Sequence, residues 1–295
     1  MAQHTVAVGD ISLAVTEEGG GAPVILVHGF PELAYSWRHQ LPALAEAGLR
    51  AIAYDQRGYG GSSKPEEVSD YRLLELVDDL IGLADQLSLD RFHLVGHDWG
   101  SIVAWSAAVI HPERISTLTS LNVPYRGWCC AFPTVQVIDE RLRDRFAYVL
   151  SFQDVGAAEE RFAAGPERWL RRSYQGVAAD PEFQTSDEFS VYLDAFVAGG
   201  MFGPLSYYRN IDRNVAYVSH LAGATVAAPT LMITADRDPV LPASLVDGME
   251  RWVPDLTVKA VTDCGHWTQQ EQPEQVNGHL IEFLTGVRSA APGSI

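Results

Sequence analysis

The stretch LVGHDWGS, from Leu94 to Ser101, sets an aspartate where chemistry could occur. Before it runs the short apolar segment RFHLV, and after it SIVAWSAAVI reads as an apolar helix. Gly96 and Gly100 bracket Asp98 as Gly-x-Asp-x-Gly, a spacing suited to a sharp strand-to-helix turn that lifts its central side chain above a sheet. An aspartate has a reference pKa of about 3.9, so at neutral pH it is ionised and needs no base to act as a nucleophile. Two more candidates close strand-like runs. Asp238 ends PTLMITADRD, with Asp236 as the alternative acid, and His266 follows LTVKAVTDCG. A histidine oriented by an acid can take a proton from water. Nucleophile, acid and histidine in that order could therefore carry out an attack followed by a hydrolysis.

These positions need strands that end at a common edge. ISLAVTEEG, PVILVHG, RAIAYD, FHLVG and ISTLTSLNVP read as strands. Between them AYSWRHQLPALAEAG reads as a helix stopped by Gly48, and YRLLELVDDLIGLADQLS has a helical apolar period through Leu73, Leu76, Val77, Leu80, Leu83, Ala84 and Leu87. His111-Pro112 closes the helix after Asp98. Such alternation predicts a parallel sheet covered by helices on both faces, with functional groups at the carboxyl ends of its strands. The pattern changes after Pro124. VIDERLRDRFAYVLSF, AAEERFAA, PERWLRRSYQ and SVYLDAFVAGG are aromatic-rich and helix-leaning, and no apolar strand interrupts them. Alternation returns with the Asp238 and His266 strands and a final helix, PEQVNGHLIEFLTGV. The expected organisation is an α/β core split into residues 1–124 and 217–295, with a helical cap at 125–216.

Bulk properties narrow the function classes. A chain of 295 residues, 47% hydrophobic, suits a globular α/β protein. Its net charge of −17, with no clustered Lys/Arg, argues against a nucleic-acid partner. The longest apolar run, around Ile102 to Ile110, is too short for a membrane span, and the first residues lack a secretory pattern. The adjacent Cys129 and Cys130 do not suggest a disulfide framework. A cytoplasmic location is expected. His93 and His97 lie four apart on a strand and turn rather than a helix face, which makes a metal pair improbable. GYGGSSK lacks the Gly-Lys-Ser/Thr order of a phosphate loop and reads as a tight turn. No metal or organic cofactor is expected.

The motifs together resemble the soluble epoxide hydrolase family of the α/β-hydrolase fold. HGFPE (His28 to Glu32), DQRGYGGSS (Asp55 to Ser63), GHDWGS, TADRDPVL and DCGHWTQ all match that family's motifs, and Asp238 falls on its acid position. The resemblance implies a mostly parallel twisted sheet flanked by helices, with an inserted helical cap. It further implies a pair of cap tyrosines. AYVLSFQ places Tyr148 on the first and GPLSYYRN places Tyr208 on the second, with Tyr207 one residue early.

On this reading Asp98 opens an epoxide by attack on carbon, Tyr148 and Tyr208 protonate the leaving oxygen, and His266 with Asp238 activates water to cleave the ester on Asp98. The backbone N–H groups of Phe30 and Trp99 are the expected oxyanion donors. A cis bond before Pro31 and a homodimer are family-level expectations. Trp37, Phe132, Phe152, Phe196 and Trp267 are candidate lining residues, with ordinary core packing the equal alternative for each. A haloalkane dehalogenase could use the same triad, with Trp99 as a halide donor, but would leave the paired tyrosines without a role. A serine esterase would need a nucleophile at the apex, and Ser101 lies three residues beyond it. A non-catalytic binding protein on the same scaffold would be expected to lack a triad member.

Overall fold

A computed structural model of the chain describes residues 1–127 and 133–286. Cys129, Cys130 and Phe132 therefore lie outside the described residues.

Eight strands form one sheet: β1 (Ala2–Val8), β2 (Ile11–Gly19), β3 (Ala22–Val27), β4 (Leu49–Tyr54), β5 (Phe92–His97), β6 (Ile115–Leu121), β7 (Thr230–Ala235) and β8 (Leu256–Val261). Their order across the sheet is β1-β2-β4-β3-β5-β6-β7-β8. The pairs from β4 to β8 are parallel, and β1 and β2 add an antiparallel edge. From β3 the chain crosses to β4 on one side and then returns to β5 on the other. The loops after β3 and β5 thus lie side by side at a point where the winding reverses, which is where open α/β sheets form crevices.

Strand side chains alternate between two buried faces. Val24 and Leu26 join Ala51, Ala53, Val95, Leu231 and Ile233 in one cluster, beneath α1 (Gln40–Glu46) and α12 (Pro273–Gly286). Ile25 and Val27 join Ile52, Leu94, Leu118 and Met232 in the other, beneath α2 (Leu73–Gln86) and α3 (Trp99–Ile110). A strand buried on both sides has no polar face, which is why these runs read as continuously apolar.

Seven described helices connect β6 to β7: α4 (Val135–Arg141), α5 (Arg143–Ser151), α6 (Ala157–Ala163), α7 (Pro166–Gln175), α8 (Ser186–Gly199), α9 (Phe202–Arg209) and α10 (Ile211–Tyr217). A short helix, α11 (Thr268–Glu271), precedes α12. The helix-leaning stretch VIDERLRDRFAYVLSF divides at Leu142, whose φ of −129° is outside the helical range.

Two features escaped the sequence reading. Strand β1 alternates weakly and is mostly exposed, so its apolar signal is faint; a two-residue turn, Gly9-Asp10 with Gly9 at φ +55°, pairs it to β2 as a hairpin. Helices α9 and α10 follow Gly200, and Gly203-Pro204 lie within α9; these residues signal a break. Pro204 is in the first turn of α9, where a missing N–H costs nothing.

Candidate active site

Strand β5 ends at His97 and α3 begins at Trp99, which leaves Asp98 alone at the apex with φ +51° and ψ −120°. A non-glycine residue in that region is strained and needs its neighbours to hold it. The neighbours can do so only because they are glycines. A Cβ on Gly96 would lie 2.4 Å from the Gly100 carbonyl oxygen, and one on Gly100 would lie 2.0 Å from that of Val27. Gly100→Ala should therefore destabilise the fold by roughly 1–3 kcal/mol, the usual scale for overpacking. A thermal midpoint lowered by several degrees checks this against Gly20→Ala, where the added methyl meets nothing within 4 Å. Equal midpoints would show that the turn tolerates a side chain.

The loop after β3 reaches Asp98 through another glycine, Gly29, whose Cβ would lie 2.4 Å from that of Asp98. The Phe30 N–H donates to Asp98 Oδ1 at 2.8 Å, and the Phe30–Pro31 bond is cis. The buried Glu32 carboxylate accepts the Gly29 N–H at 2.9 Å and the Tyr174 hydroxyl donates to the Pro31 carbonyl, so the loop is tied from both sides. Asp55, after β4, accepts the N–H groups of Ala34 and Gly61, closing the glycine-rich turn read from the sequence. Arg57 in that turn forks onto Asp79 of α2, 2.5 Å from each oxygen.

The loop after β8 brings His266 in from the other side. Its Nδ1 donates to Asp238 Oδ2 at 2.8 Å, while its Nε2 stands 3.7 Å from Asp98 Oδ2. Asp238 also accepts the Asn122 amide at 2.7 Å and the Val240 and Leu241 N–H groups at 2.8 and 3.0 Å. Burial opposes its charge, but His266 and these donors outweigh that and hold its carboxyl well below the usual range. Burial likewise opposes an imidazolium at His266, yet Asp238 and then Asp98 push its pKa well above the ordinary value. Asp236 is used differently. Its carboxylate accepts the N–H groups of Asp263 and Cys264 and shapes the loop.

Helices α5 and α9 supply Tyr148 and Tyr208, whose rings meet edge to face with centroids 5.8 Å apart. Tyr208 also packs on Phe30 and Trp99, each at 5.1 Å. Burial, with Asp98 contributing, raises the phenol pKa of both, so each keeps its proton. Tyr207 is one helical step away and faces elsewhere, donating to the Arg57 carbonyl at 2.9 Å. That step of about 100° separates the two adjacent tyrosines.

Asp98, Tyr148, Tyr208, His266 and Phe30 line a single cavity of about 480 Å³, as do Phe152 and Trp267. Trp37 does not. It ends a turn of 3₁₀ helix and points into the core with Leu41 and Leu44, on the α1 side of the sheet. Phe196 is also buried away from the cavity, with its ring 6.2 Å from that of Tyr59. The expectation of lining roles for both is corrected: each large apolar ring is taken up by core packing. His93 and His97 have separate partners, Thr117 for the first and Glu32 with the His266 carbonyl for the second.

Sequence reasoning missed several groups. Asn122 follows β6 at φ +66° and links Asp238 to Thr268, whose hydroxyl donates to it at 2.7 Å; an asparagine just past a strand end was the available signal. Glu32 and His97 form a fully buried pair at 2.7 Å, and His97 Nε2 donates to the His266 carbonyl at 2.8 Å. Trp169, Arg161 and Arg172 line the cavity from α6 and α7 with no motif to announce them.

A sequence model of the alpha/beta hydrolase fold family matches residues 22–273. Epoxide hydrolase A of Mycobacterium tuberculosis is 39% identical, with 94% of this chain and 95% of that protein covered. Bifunctional epoxide hydrolase 2 of Rattus norvegicus is 35% identical over 93% of this chain, which spans 53% of that longer protein. Among solved structures, that of epoxide hydrolase A from Mycobacterium thermoresistibile superposes with a TM-score of 0.89 at 36% identity, covering 97% of this chain and 98% of the other. No described helix is long and apolar enough to cross a membrane.

Proposed function

The chain belongs to the soluble epoxide hydrolase family of the α/β-hydrolase fold, and on that premise we propose that it converts epoxides to vicinal diols through a covalent ester on Asp98. The observation that carries this reading is the placement of two protonated tyrosines and Asp98 on one cavity. Residues 125–216 act as the cap that supplies those tyrosines to the core.

Asp98 Oδ1 is held by the Phe30 N–H, so Oδ2 is the oxygen that attacks a ring carbon. The carbon–oxygen bond breaks as Oδ2 bonds to carbon, and the departing oxygen develops alkoxide charge. An alkoxide is about as basic as hydroxide, the conjugate base of water with its pKa of roughly 15.7, and so a very poor leaving group. Tyr148 and Tyr208 hydrogen-bond that oxygen, and one of them transfers its proton. The product at this stage is a hydroxyalkyl ester of Asp98 and a tyrosinate.

Esterification removes the charge of Asp98, one of two carboxylates that favour an imidazolium at His266. The imidazolium then gives its proton to the tyrosinate, which restores the phenol, and the neutral imidazole becomes available as a base. It deprotonates a water, whose oxygen attacks the Asp98 carboxyl carbon. The resulting oxyanion forms on Oδ1, already 2.8 Å from the Phe30 N–H, with the Trp99 N–H as second donor. Collapse expels the diol oxygen, which takes the proton from His266. The regenerated Asp98 carboxyl returns its proton to His266, and the cycle balances as epoxide plus water to diol.

A panel of mono-, di- and trisubstituted epoxides, with several chloroalkanes, should give diols and no chloride. Chloride release without diol formation would overturn the assignment, because halide departure needs no acid.

A further inference from the structure

Tyr148 and Tyr208 have to meet at one oxygen, yet they come from different helices, α5 and α9. Helix α5 is short, and Phe146 within it leaves the helical range at φ −119° and ψ +28°. A helix of that length has little stability of its own, so contacts outside it must set where Tyr148 stands. The residues that follow each tyrosine supply those contacts. The Gln153 amide donates both to the Val149 carbonyl of α5, at 3.0 Å, and to the Tyr208 carbonyl of α9, at 3.1 Å. Arg209 crosses in the opposite direction. Its Nε donates at 2.9 Å to the carbonyl of Phe152, which caps α5, and its terminal nitrogens fork onto Glu159 of α6 at 2.7 and 2.9 Å. Glu159 also accepts the Gly156 N–H at 3.0 Å, which closes the turn between α5 and α6. The Phe152 ring packs edge to face on both tyrosines, with centroids at 5.7 and 5.2 Å.

None of Gln153, Glu159 and Arg209 lines the cavity, so any effect on the reaction passes through the tyrosines. We propose that these three are positioning residues, which fix the separation of the two phenols so that both hydroxyls reach the departing oxygen together. This inference rests on the epoxide-opening reading above for the task of the tyrosines. The Arg209 side chain is only 3% exposed, and a buried guanidinium fork on a carboxylate is both strong and directional. Two donors can share one acceptor only within narrow limits of distance and angle. A tie that holds α5, α6 and α9 at one point keeps those limits, where rotation of either helix would carry one hydroxyl away.

The test is single-turnover kinetics with a monosubstituted alkyl epoxide, resolving ring opening from ester hydrolysis. Arg209→Gln should slow ring opening by about tenfold, within the range that small misplacements cause, and leave hydrolysis nearly unchanged. In a Tyr208→Phe background the same substitution should have little further effect, because the hydroxyl that Arg209 places is already gone. Gln153→Met removes the amide at similar volume and strands no charge, so it should act in the same direction by a smaller factor without threatening the fold. A merely structural role would slow both steps, and would do so equally with and without the Tyr208 hydroxyl. Either of those results would overturn the proposal, as would ring opening left unchanged by both variants. Crystal structures of the variants read the same geometry without turnover: the Tyr148 and Tyr208 ring centroids, 5.8 Å apart in the unaltered chain, should separate. If the unaltered chain opened no epoxide, the activity would be contradicted, and those structures would still decide the tie. A wider pair would uphold it and an unchanged pair would overturn it.

Discussion

In a His266→Gln variant, epoxide should be consumed once per active site and then stop. The substitution removes the group that takes the proton from water but leaves Asp98, the Phe30 N–H and both tyrosines in place. Ring opening therefore proceeds, and the ester on Asp98 accumulates. General-base contributions are commonly 10²–10⁴-fold, so steady-state diol formation should fall by about three orders of magnitude or more. Intact-mass measurement after brief exposure should show a gain equal to one substrate, located on the peptide carrying Asp98. Loss of turnover without any adduct would mean that His266 is needed before the ester forms. The division of labour between Asp98 and His266 would then be wrong.

The second large effect lies on the opposite step. Tyr148→Phe and Tyr208→Phe each remove one hydroxyl and keep the ring, so the edge-to-face packing with Phe30, Phe152 and Trp99 persists. Either single variant leaves one phenol to donate and should slow ring opening modestly, by about tenfold. The double variant leaves the developing alkoxide unprotonated and should slow it by about 10³–10⁴-fold, beyond the roughly hundredfold of two independent tenfold losses. The two changes are thus non-additive, as expected of groups that protonate the same oxygen. Stopped-flow quenching of the tryptophans at the cavity separates the steps, since alkylation and hydrolysis change the signal in turn. A double variant that alkylates normally and hydrolyses slowly would remove the tyrosines from the acid role.

The sequence exposed those parts of the molecule that depend on backbone rules. Gly96 and Gly100 signal the turn because any side chain there would strike a carbonyl oxygen. The apolar run Ala22–Val27 signals a strand covered on both sides because both of its faces are buried. Asp98, Asp238 and His266 stand out because strand ends gather reactive groups, and the structure brings them together around a 2.8 Å and a 3.7 Å approach. Side-chain destinations were less legible. Nothing in the local pattern says that Trp37 turns into the core while Trp169 lines the cavity, because both are large aromatics in helical segments. The choice between Tyr207 and Tyr208 is one step of a helix whose existence glycine and proline concealed. Asn122 and His97 act on the site through contacts between residues far apart in the chain, Asn122 with Asp238 and His97 with the His266 carbonyl. The arginines that line the cavity are ordinary surface residues until the fold places them there.

The covalent ester is tested most directly by a single turnover in H₂¹⁸O with enzyme in excess over epoxide. Water attacks the carboxyl carbon of Asp98 in this account, so the diol from the first turnover should be unlabelled and one heavy oxygen should appear in the Asp98 peptide. A labelled first-turnover diol with an unlabelled Asp98 would mean that water attacks the epoxide directly, and the nucleophilic role of Asp98 would fall.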